Sequence, residues 1–456
     1  MLPILTLRLG PSEYGLFALA TAFVAFGAAI SCVGSSYRLA EAFASKDSRE
    51  KSEAISSQVA LSASISIALA ISFVLICLVG IEESMLGWGF GQFEILVVAL
   101  SVVCSTTWSI ATDVTTLQGN ARAYGIAAIL QTTVAALTTL GAVFVADRGG
   151  QSLFIGQLSA ATIALLGGVF ILKPHLTLRA MTLMKSGLVG AGWISAANIA
   201  ESAYQVFERN LLAGFASVSD LGIYTHSQQY RLATSAAVKA FARTVWPTTL
   251  FESRSPSNDY VKTKEGWNAV YVGLTIVGLV FAAIGEELIA ILTNSKFNEA
   301  APLAALGIAY LLLQNVGKPQ VGYMYAHGHG APYARISLVA IAVSTVLAVP
   351  FIEELGIWGA FACLCIQQMV MRIGVQIFVA RIAGGVPAHD RLAFQGFALL
   401  LGLVAFNMWT DAIVSVRLLE LVVGLGLLTP FAWRAYLRVR AITDVIPATS
   451  GESSRK

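Results

Sequence analysis

The sequence predicts an all-α polytopic membrane protein with about thirteen transmembrane helices. The first observation is composition: 56% of the residues are hydrophobic and only 12% are charged, whereas a soluble globular chain is typically about 25% charged. The second is a succession of apolar segments, each long enough to cross a bilayer. The third is the placement of Lys and Arg, which fall mainly in alternate loops between those segments.

Each apolar segment is bounded by polar residues or by a break that contains Gly or Pro. Helices are therefore predicted near 14–36, 54–81, 93–113, 124–146, 151–172, 187–213, 221–250, 267–291, 301–324, 333–352, 357–380, 393–411 and 415–437. Gln314, Asn315 and Lys318, just before Pro319, predict a polar, kinked segment within the ninth of these.

The positive-inside rule orients these helices in the membrane. The loops that lack most of the Lys and Arg carry only Arg8, Arg148, Lys296 and Arg417. The opposite, cationic loops are therefore expected in the cytoplasm, together with the C-terminus, while the N-terminus lies outside. An outside N-terminus without a preceding helix leads us to expect that a first helix is missing, through a wrongly assigned start codon or a truncation.

An internal repeat divides the chain into two similar halves. E-Y-G-L-F-A, from Glu13, resembles D-L-G-I-Y-T, from Asp220, and Y-G-I-A-A-I-L, from Tyr124, resembles Y-A-R-I-S-L-V, from Tyr333. Both pairs are roughly 208 residues apart, which favours a parallel repeat of six-helix lobes. The predicted division is an N-terminal lobe, a C-terminal lobe, two extra helices and a disordered cytoplasmic tail, over 1–186, 187–392, 393–440 and 441–456.

Two central segments carry charges within predicted membrane helices. Glu201 and Glu208 share one face of the first, and Arg231 and Lys239 lie on one stripe of the second. An ionisable side chain in a membrane helix usually faces a partner or a water-filled cavity. Arg231 can therefore line a cavity or pair with Glu201 or Glu208, and Lys239 can line it or extend to the membrane interface.

Other chemistry has little support in the sequence. The five cysteines lie in apolar stretches, and no G-x-x-x-x-G-K-[ST] motif for ATP is present. His327 and His329 on a glycine-rich loop are weak candidates for a metal site. The small net charge of +3 gives no reason to expect a nucleic-acid partner. We therefore expect neither an enzyme nor a bound cofactor or metal.

Several motifs resemble those of the Wzx-type polysaccharide flippases, members of the multidrug/oligosaccharidyl-lipid/polysaccharide (MOP) exporter superfamily. L-G-P-S-E-Y-G-L-F-A, from Leu9, and S-Y-R-L-A-E, from Ser36, resemble the start of that family. E-R-N-L-L-A-G-F-A-S-V-S-D-L-G-I-Y, from Glu208, resembles its seventh helix and the following turn. A-P-Y-A-R, from Ala331, and E-E-L-G-I-W-G-A-F, from Glu353, resemble its eleventh and twelfth helices.

The resemblance implies about fourteen helices in two lobes, V-shaped around a central cavity, in a bacterial cytoplasmic membrane. It implies alternating access and a substrate glycan on a polyprenyl pyrophosphate carrier, with a polysaccharide polymerase and assembly proteins as candidate partners. Cationic side chains would take up the diphosphate charge, and amides would bind sugar hydroxyls or other helices. The candidate cavity-lining residues are Arg231, Lys239, Glu201, Glu208, Arg372, Gln368 and Gln376.

Glu201 and Glu208 are also candidates for proton or cation coupling, because a carboxyl group in a membrane cavity can load and release a proton. Three alternative functions remain at this point: a cation-coupled drug exporter, a flippase for a peptidoglycan precursor, and a non-transporting scaffold of a glycan assembly complex. The cationic stripe argues against drug export, because a pocket for cationic drugs should be acidic and aromatic.

Overall fold

The computed structural model is helical throughout the regular structure that it describes. It describes residues 8–33, 48–79, 90–118, 121–173, 192–254, 261–293, 295–383 and 391–410, with residues 5, 35, 39, 43, 417 and 421–424. The longer helices in these ranges are α1 (Pro11–Ser31), α2 (Ser48–Leu78), α3 (Gln92–Leu117), α4 (Ala121–Phe144), α5 (Gln151–Leu172), α6 (Gly192–Leu211), α7 (Val218–Arg254), α8 (Val261–Leu292), α9 (Ala300–Asn315), α10 (Lys318–Ala326), α11 (Gly330–Leu355), α12 (Ile357–Ala383) and α13 (Arg391–Thr410).

The helices follow the apolar segments of the sequence, and the predicted all-α membrane fold is confirmed. The described residues contain nine helical stretches that are long and apolar enough to cross a membrane. Large apolar side chains project from them in rows, such as Ile67, Ile71 and Leu75 on α2, each about half exposed. Exposure of such a row of apolar side chains to water is unfavourable, whereas contact with lipid tails is not.

The predicted helix at 301–324 is two helices in line, α9 and α10. Val316 is extended (φ −55°, ψ 135°) and Gly317 has a φ of +78°. The break therefore precedes Pro319, which sits in the first turn of α10, where its missing N–H costs no hydrogen bond. The predicted helix at 415–437 and the tail at 441–456 lie almost entirely outside the described residues.

Internal contacts divide the chain into two compact units. The first unit, residues 1–223 and 341–360, contains α1 to α6 and the start of α7. In it α5 packs on α3 and α4, and α1 packs on α2, α3 and α6. Phe17 of α1 meets Phe154 of α5 edge to face, with ring centroids 5.6 Å apart. The predicted lobe boundaries, drawn from the sequence repeat, stay a prediction.

The second unit, residues 224–340 and 361–456, is built around α9. All residues of α9 except Pro302 and Gln314 are buried, and α8 and α13 pack against it. A helix that is apolar on every side belongs in the interior of a bundle. Because α9 lies in the interior of the second unit, the polar groups at its C-terminal end, at Asn315, need hydrogen-bond partners on neighbouring helices.

Candidate functional site

Ionisable side chains lie within α6 and α7. Within the described part of the chain, neither is among the nine helical stretches that qualify as membrane spans by length and apolar content. Both helices carry residues that were predicted to line a cavity, as does α12 with Gln368, Arg372 and Gln376.

Arg231, on α7, lies against α9. Its guanidinium carbon sits 5.1 Å from the ring centroid of Tyr310, a cation–π geometry. Gly307 leaves room for this side chain, since a Cβ there would lie 3.3 Å from the Arg231 Cβ. The Nε of Arg231 is buried and meets no hydrogen-bond acceptor among the described residues. A planar cation is thus held on an aromatic ring inside the helical bundle.

Gln368, on α12, meets the same tyrosine from the other end. Its Nε2 donates to the Tyr310 hydroxyl at 3.1 Å, and only 4% of Tyr310 is exposed. We call these three residues (Arg231, Tyr310, Gln368) the Arg231 cluster. The structure thus brings two predicted site residues together through a tyrosine that the sequence analysis did not single out.

Arg372 lies one turn beyond Gln368 on α12 and is 8% exposed. Its Nη1 donates to Oε1 of Gln320 on α10 at 3.2 Å. Its guanidinium also packs against Gly317, where a Cβ would collide with it. Arg372 therefore sits at the break between α9 and α10. Gln376, one turn further along α12, is exposed.

The two glutamates of α6 differ in exposure. Glu201 is exposed, whereas Glu208 is 4% exposed. Tyr204, between them on the same face, accepts a hydrogen bond from the Ser344 hydroxyl of α11 at 2.9 Å. Glu208 precedes a π-helical turn, Leu212–Ala216, and such turns often occur at functional sites.

Arg209 fastens α6 to α1 in the first unit. Its Nη1 donates to the Ala18 carbonyl oxygen and to the Thr21 hydroxyl, the latter at 3.1 Å. No local sequence pattern predicts these bonds, because Ala18 and Thr21 lie far from Arg209 in the chain. The backbone of Lys239 is helical, and its side chain lies outside the described residues.

The candidate metal ligands do not assemble in the part of the chain that the structure describes, where no group of three or more His, Cys, Asp or Glu side chains could hold an ion. His327 stacks on Tyr323, and His329 meets the ring of Phe378. These two histidines therefore take part in packing contacts.

The fold defines a helical membrane protein with several membrane-spanning segments. A solved inward-facing multidrug resistance MATE family transporter of the MOP superfamily matches with a TM-score of 0.63 and 14% identity, over 90% of this chain and 94% of its own. A structure of the lipid II flippase MurJ in an inward closed conformation matches with a TM-score of 0.65 and 13% sequence identity, over 94% of this chain and 98% of its own. A solved outward-facing MATE family transporter matches with a TM-score of 0.56 and 15% sequence identity, over 88% of this chain and 90% of its own.

The chain belongs to the polysaccharide biosynthesis protein family, whose sequence model matches residues 4–302. This membership confirms the resemblance found in the sequence motifs, and the structural matches confirm the fold of the MOP superfamily. The solved structures that share this fold are those of transporters and of a flippase. No curated protein sequence matches the chain.

Proposed function

We propose that this protein flips a glycan linked to a polyprenyl diphosphate from the cytoplasmic to the outer leaflet, by alternating access, for surface polysaccharide biosynthesis. The observation that carries the proposal is the Arg231 cluster. Holding a guanidinium on a tyrosine ring inside a helical bundle costs free energy unless an anion or another polar group interacts with it. A diphosphate is such an anion, and family membership supports a glycan as the attached cargo.

Each member of the proposed site has a separate role. Arg231 provides a planar donor that can bind two phosphate oxygens at once. Gln368 and Gln376 offer amides to sugar hydroxyls, Lys239 and Arg372 add positive charge, and the bilayer carries the polyprenyl chain. Glu201 and Glu208 couple transport to a proton or cation, with the buried Glu208 the better placed of the two to exchange charge only when the bundle opens.

Drug export is the second candidate, because the structural matches include multidrug transporters. The cationic residues of α7 and α12 disfavour it, since like charges would repel cationic drugs. A peptidoglycan precursor also carries a diphosphate, so a lipid-linked cargo of that kind shares the same recognition chemistry. A non-transporting scaffold in a glycan assembly complex would not need a cationic site for a diphosphate.

The proposal is tested by mass spectrometry of polyprenyl-linked glycans in the host after deletion of the gene. A complete lipid-linked repeat unit should accumulate, because its synthesis continues without export. Wild type should abolish the accumulation, whereas Arg231→Ala at equal abundance should leave most of it in place. Arg381→Ala, which removes an exposed guanidinium near the end of α12, should act as wild type.

Normal surface glycan without accumulation in the deletion strain would exclude glycan export and leave drug export as the better explanation. Full rescue by Arg231→Ala would show that the Arg231 cluster only joins α7, α9 and α12. Accumulation of a peptidoglycan precursor in place of a repeat unit would identify the other lipid-linked cargo.

A further inference from the structure

In the second unit, α13 packs on α8 and α9 and leaves a cleft of about 260 Å³ between their ends. We call it the α13 cleft. Among the described residues, its polar lining comes from Glu286 of α8, Asn407 of α13, and Arg417, which follows α13 in the chain. Its apolar lining includes Phe281, Pro302 and Met408. The Arg231 cluster consists of other residues, so the α13 cleft is a second polar site in this unit.

The α13 cleft lies near the end of the unit that is expected to face outward. Glu286 lies in the last third of α8, Pro302 in the first turn of α9, and Asn407 in the last turn of α13. The cationic loops that precede α8 and α13 are expected in the cytoplasm. Because both helices run away from that side, we expect the α13 cleft on the outer side of the membrane.

A kink in α8 brings backbone polar groups to the α13 cleft. Ile284 leaves the helical conformation (φ −126°, ψ 15°), and such a kink disturbs the helical hydrogen bonds around it. Nδ2 of Asn407 donates to the carbonyl oxygen of Ala282, two residues before the kink, at 3.1 Å. Oδ1 of Asn407 is buried and meets no hydrogen-bond donor among the described residues. The amide is thus held by its nitrogen, and its oxygen can accept a further hydrogen bond.

The charges of the α13 cleft largely neutralise one another. Nη1 of Arg417 lies 2.6 Å from Oε2 of Glu286 and 3.9 Å from Oε1 of Glu287. The side chain of Arg417 is only 12% exposed, and its buried Nε meets no hydrogen-bond acceptor in the part of the chain that the structure describes. A free anion would be repelled by the carboxylates and a simple cation by the guanidinium. The lining therefore favours a neutral, polar ligand.

A sugar ring has the groups that this lining requires. Each hydroxyl both donates and accepts, so it can donate to Glu286 or Asn407 and accept from Arg417. A small turn of Asn407 or Arg417 toward the cleft brings its enclosed polar atom to the ligand. The C–H groups of the ring suit the apolar lining. Typical small-molecule pockets begin at about 300 Å³, so the volume of the α13 cleft suits a single ring.

We propose that the α13 cleft binds one neutral sugar residue on the outer side of the membrane and receives it from the glycan of the lipid-linked cargo. The source of the sugar rests on the function proposed above, whereas the ligand class rests on the lining. Pro302 lies about 12 Å along the chain of α9 from Tyr310, so the α13 cleft lies further outward than the Arg231 cluster. A sugar of free or surface glycan has the same chemistry, and the test separates the two sources.

The test uses the oligosaccharide repeat unit released by mild acid from the surface polysaccharide of the host. Saturation-transfer difference NMR measures its binding to the full-length protein in nanodiscs. Glu286→Gln should weaken binding about tenfold, because a carboxylate accepts stronger hydrogen bonds than an amide and also orients Arg417. The Glu286 side chain is half exposed, so this variant should fold. Glu354→Gln makes the same charge change at an exposed position of α11 and should bind as wild type.

Protection from labelling tests the position of the bound sugar. Met408 lines the α13 cleft and is 50% exposed. In a background without the five natural cysteines, a membrane-impermeant thiol reagent should label Met408→Cys in intact cells. Saturating oligosaccharide should slow that labelling severalfold and leave the labelling of Glu354→Cys unchanged.

Three results would overturn the α13 cleft as a sugar site: no binding of the oligosaccharide by wild type, wild-type affinity in Glu286→Gln, or labelling of Met408→Cys that the sugar does not slow. If Glu286→Gln loses binding but relieves the accumulation of lipid-linked glycan as fully as wild type, the sugar comes from free or surface glycan and the cargo assignment is wrong. Intact sugar binding without any accumulation in the deletion strain would overturn the proposed function and leave the sugar site in place.

Discussion

Tyr310 holds the Arg231 cluster together, because its ring lies against Arg231 and its hydroxyl accepts a hydrogen bond from Gln368. Arg231 and Gln368 were selected because a charge or an amide stands out in an apolar helix. Tyr310 stands in the run L-G-I-A-Y-L-L-L, where an aromatic residue is usually core. Its function depends on a hydroxyl that reaches α12 and a ring that carries Arg231. Those contacts are distant in sequence, so no local pattern could reveal them.

Substitutions of Tyr310 should separate its two contacts. Tyr310→Phe keeps the ring under Arg231 but removes the acceptor for Gln368, and should lower the free energy of unfolding by about 0.5–1.5 kcal/mol. Tyr310→Leu should cost more, because the cation–π contact is lost as well. Denaturant unfolding in detergent micelles measures both. Tyr323→Phe is the matched control, since the described residues give that hydroxyl no hydrogen bond; equal stability of all four proteins would contradict this role for Tyr310.

At the scale of the element, the two repeated motifs meet one another. A Cβ at Gly15 would collide with the Val218 carbonyl oxygen, and a Cβ at Gly222 would collide with that of Pro11. Each glycine therefore faces the residue that lies four positions before the other. The glycines of E-Y-G and D-L-G allow α1 and α7 to cross closely at their N-termini. This reciprocal contact, within the first unit, supports the repeat inferred from the sequence.

Gly15→Ala and Gly222→Ala should each destabilise the protein by about 1–3 kcal/mol, because the added methyl group forces the two backbones apart. The double variant should cost less than the sum, since both methyl groups disrupt the same crossing. Gly141→Ala, where α4 offers open space, should be neutral or slightly stabilising. Additive losses, or no loss at either position, would show that the crossing is not close in solution. Thermal unfolding of the purified protein distinguishes these outcomes.

Helix positions were largely predictable, because length and apolar content dominate in a membrane protein. The predicted helix at 151–172 agrees with Gln151–Leu172, and that at 357–380 ends three residues before Ala383. Polar residues also predicted irregularity near Pro319. The break itself falls at Gly317, because Arg372 occupies the space beside it and Gly317 adopts a positive φ. A partner from α12 thus fixed a detail that the local sequence could not specify.

At the scale of the whole molecule, the placement of Lys and Arg predicts a membrane topology that can be tested. The turn that contains Asp147 should lie outside, and the start of α8 at Lys264 should lie in the cytoplasm. Both side chains are exposed. In a background without the five natural cysteines, a membrane-impermeant thiol reagent should label Asp147→Cys in intact cells. It should label Lys264→Cys only after permeabilisation; the reverse pattern would invert the proposed orientation.

The central claim is that the protein moves a diphosphate-linked glycan between leaflets. The most direct measurement reconstitutes the purified protein in liposomes that carry the lipid-linked repeat unit from the host, and follows how fast a glycosidase in the outer solution gains access to the inner-leaflet pool. Wild-type protein should expose that pool much faster than empty liposomes, and Arg231→Ala should slow the exposure. Wild-type protein that exposes the glycan no faster than empty liposomes would contradict the account.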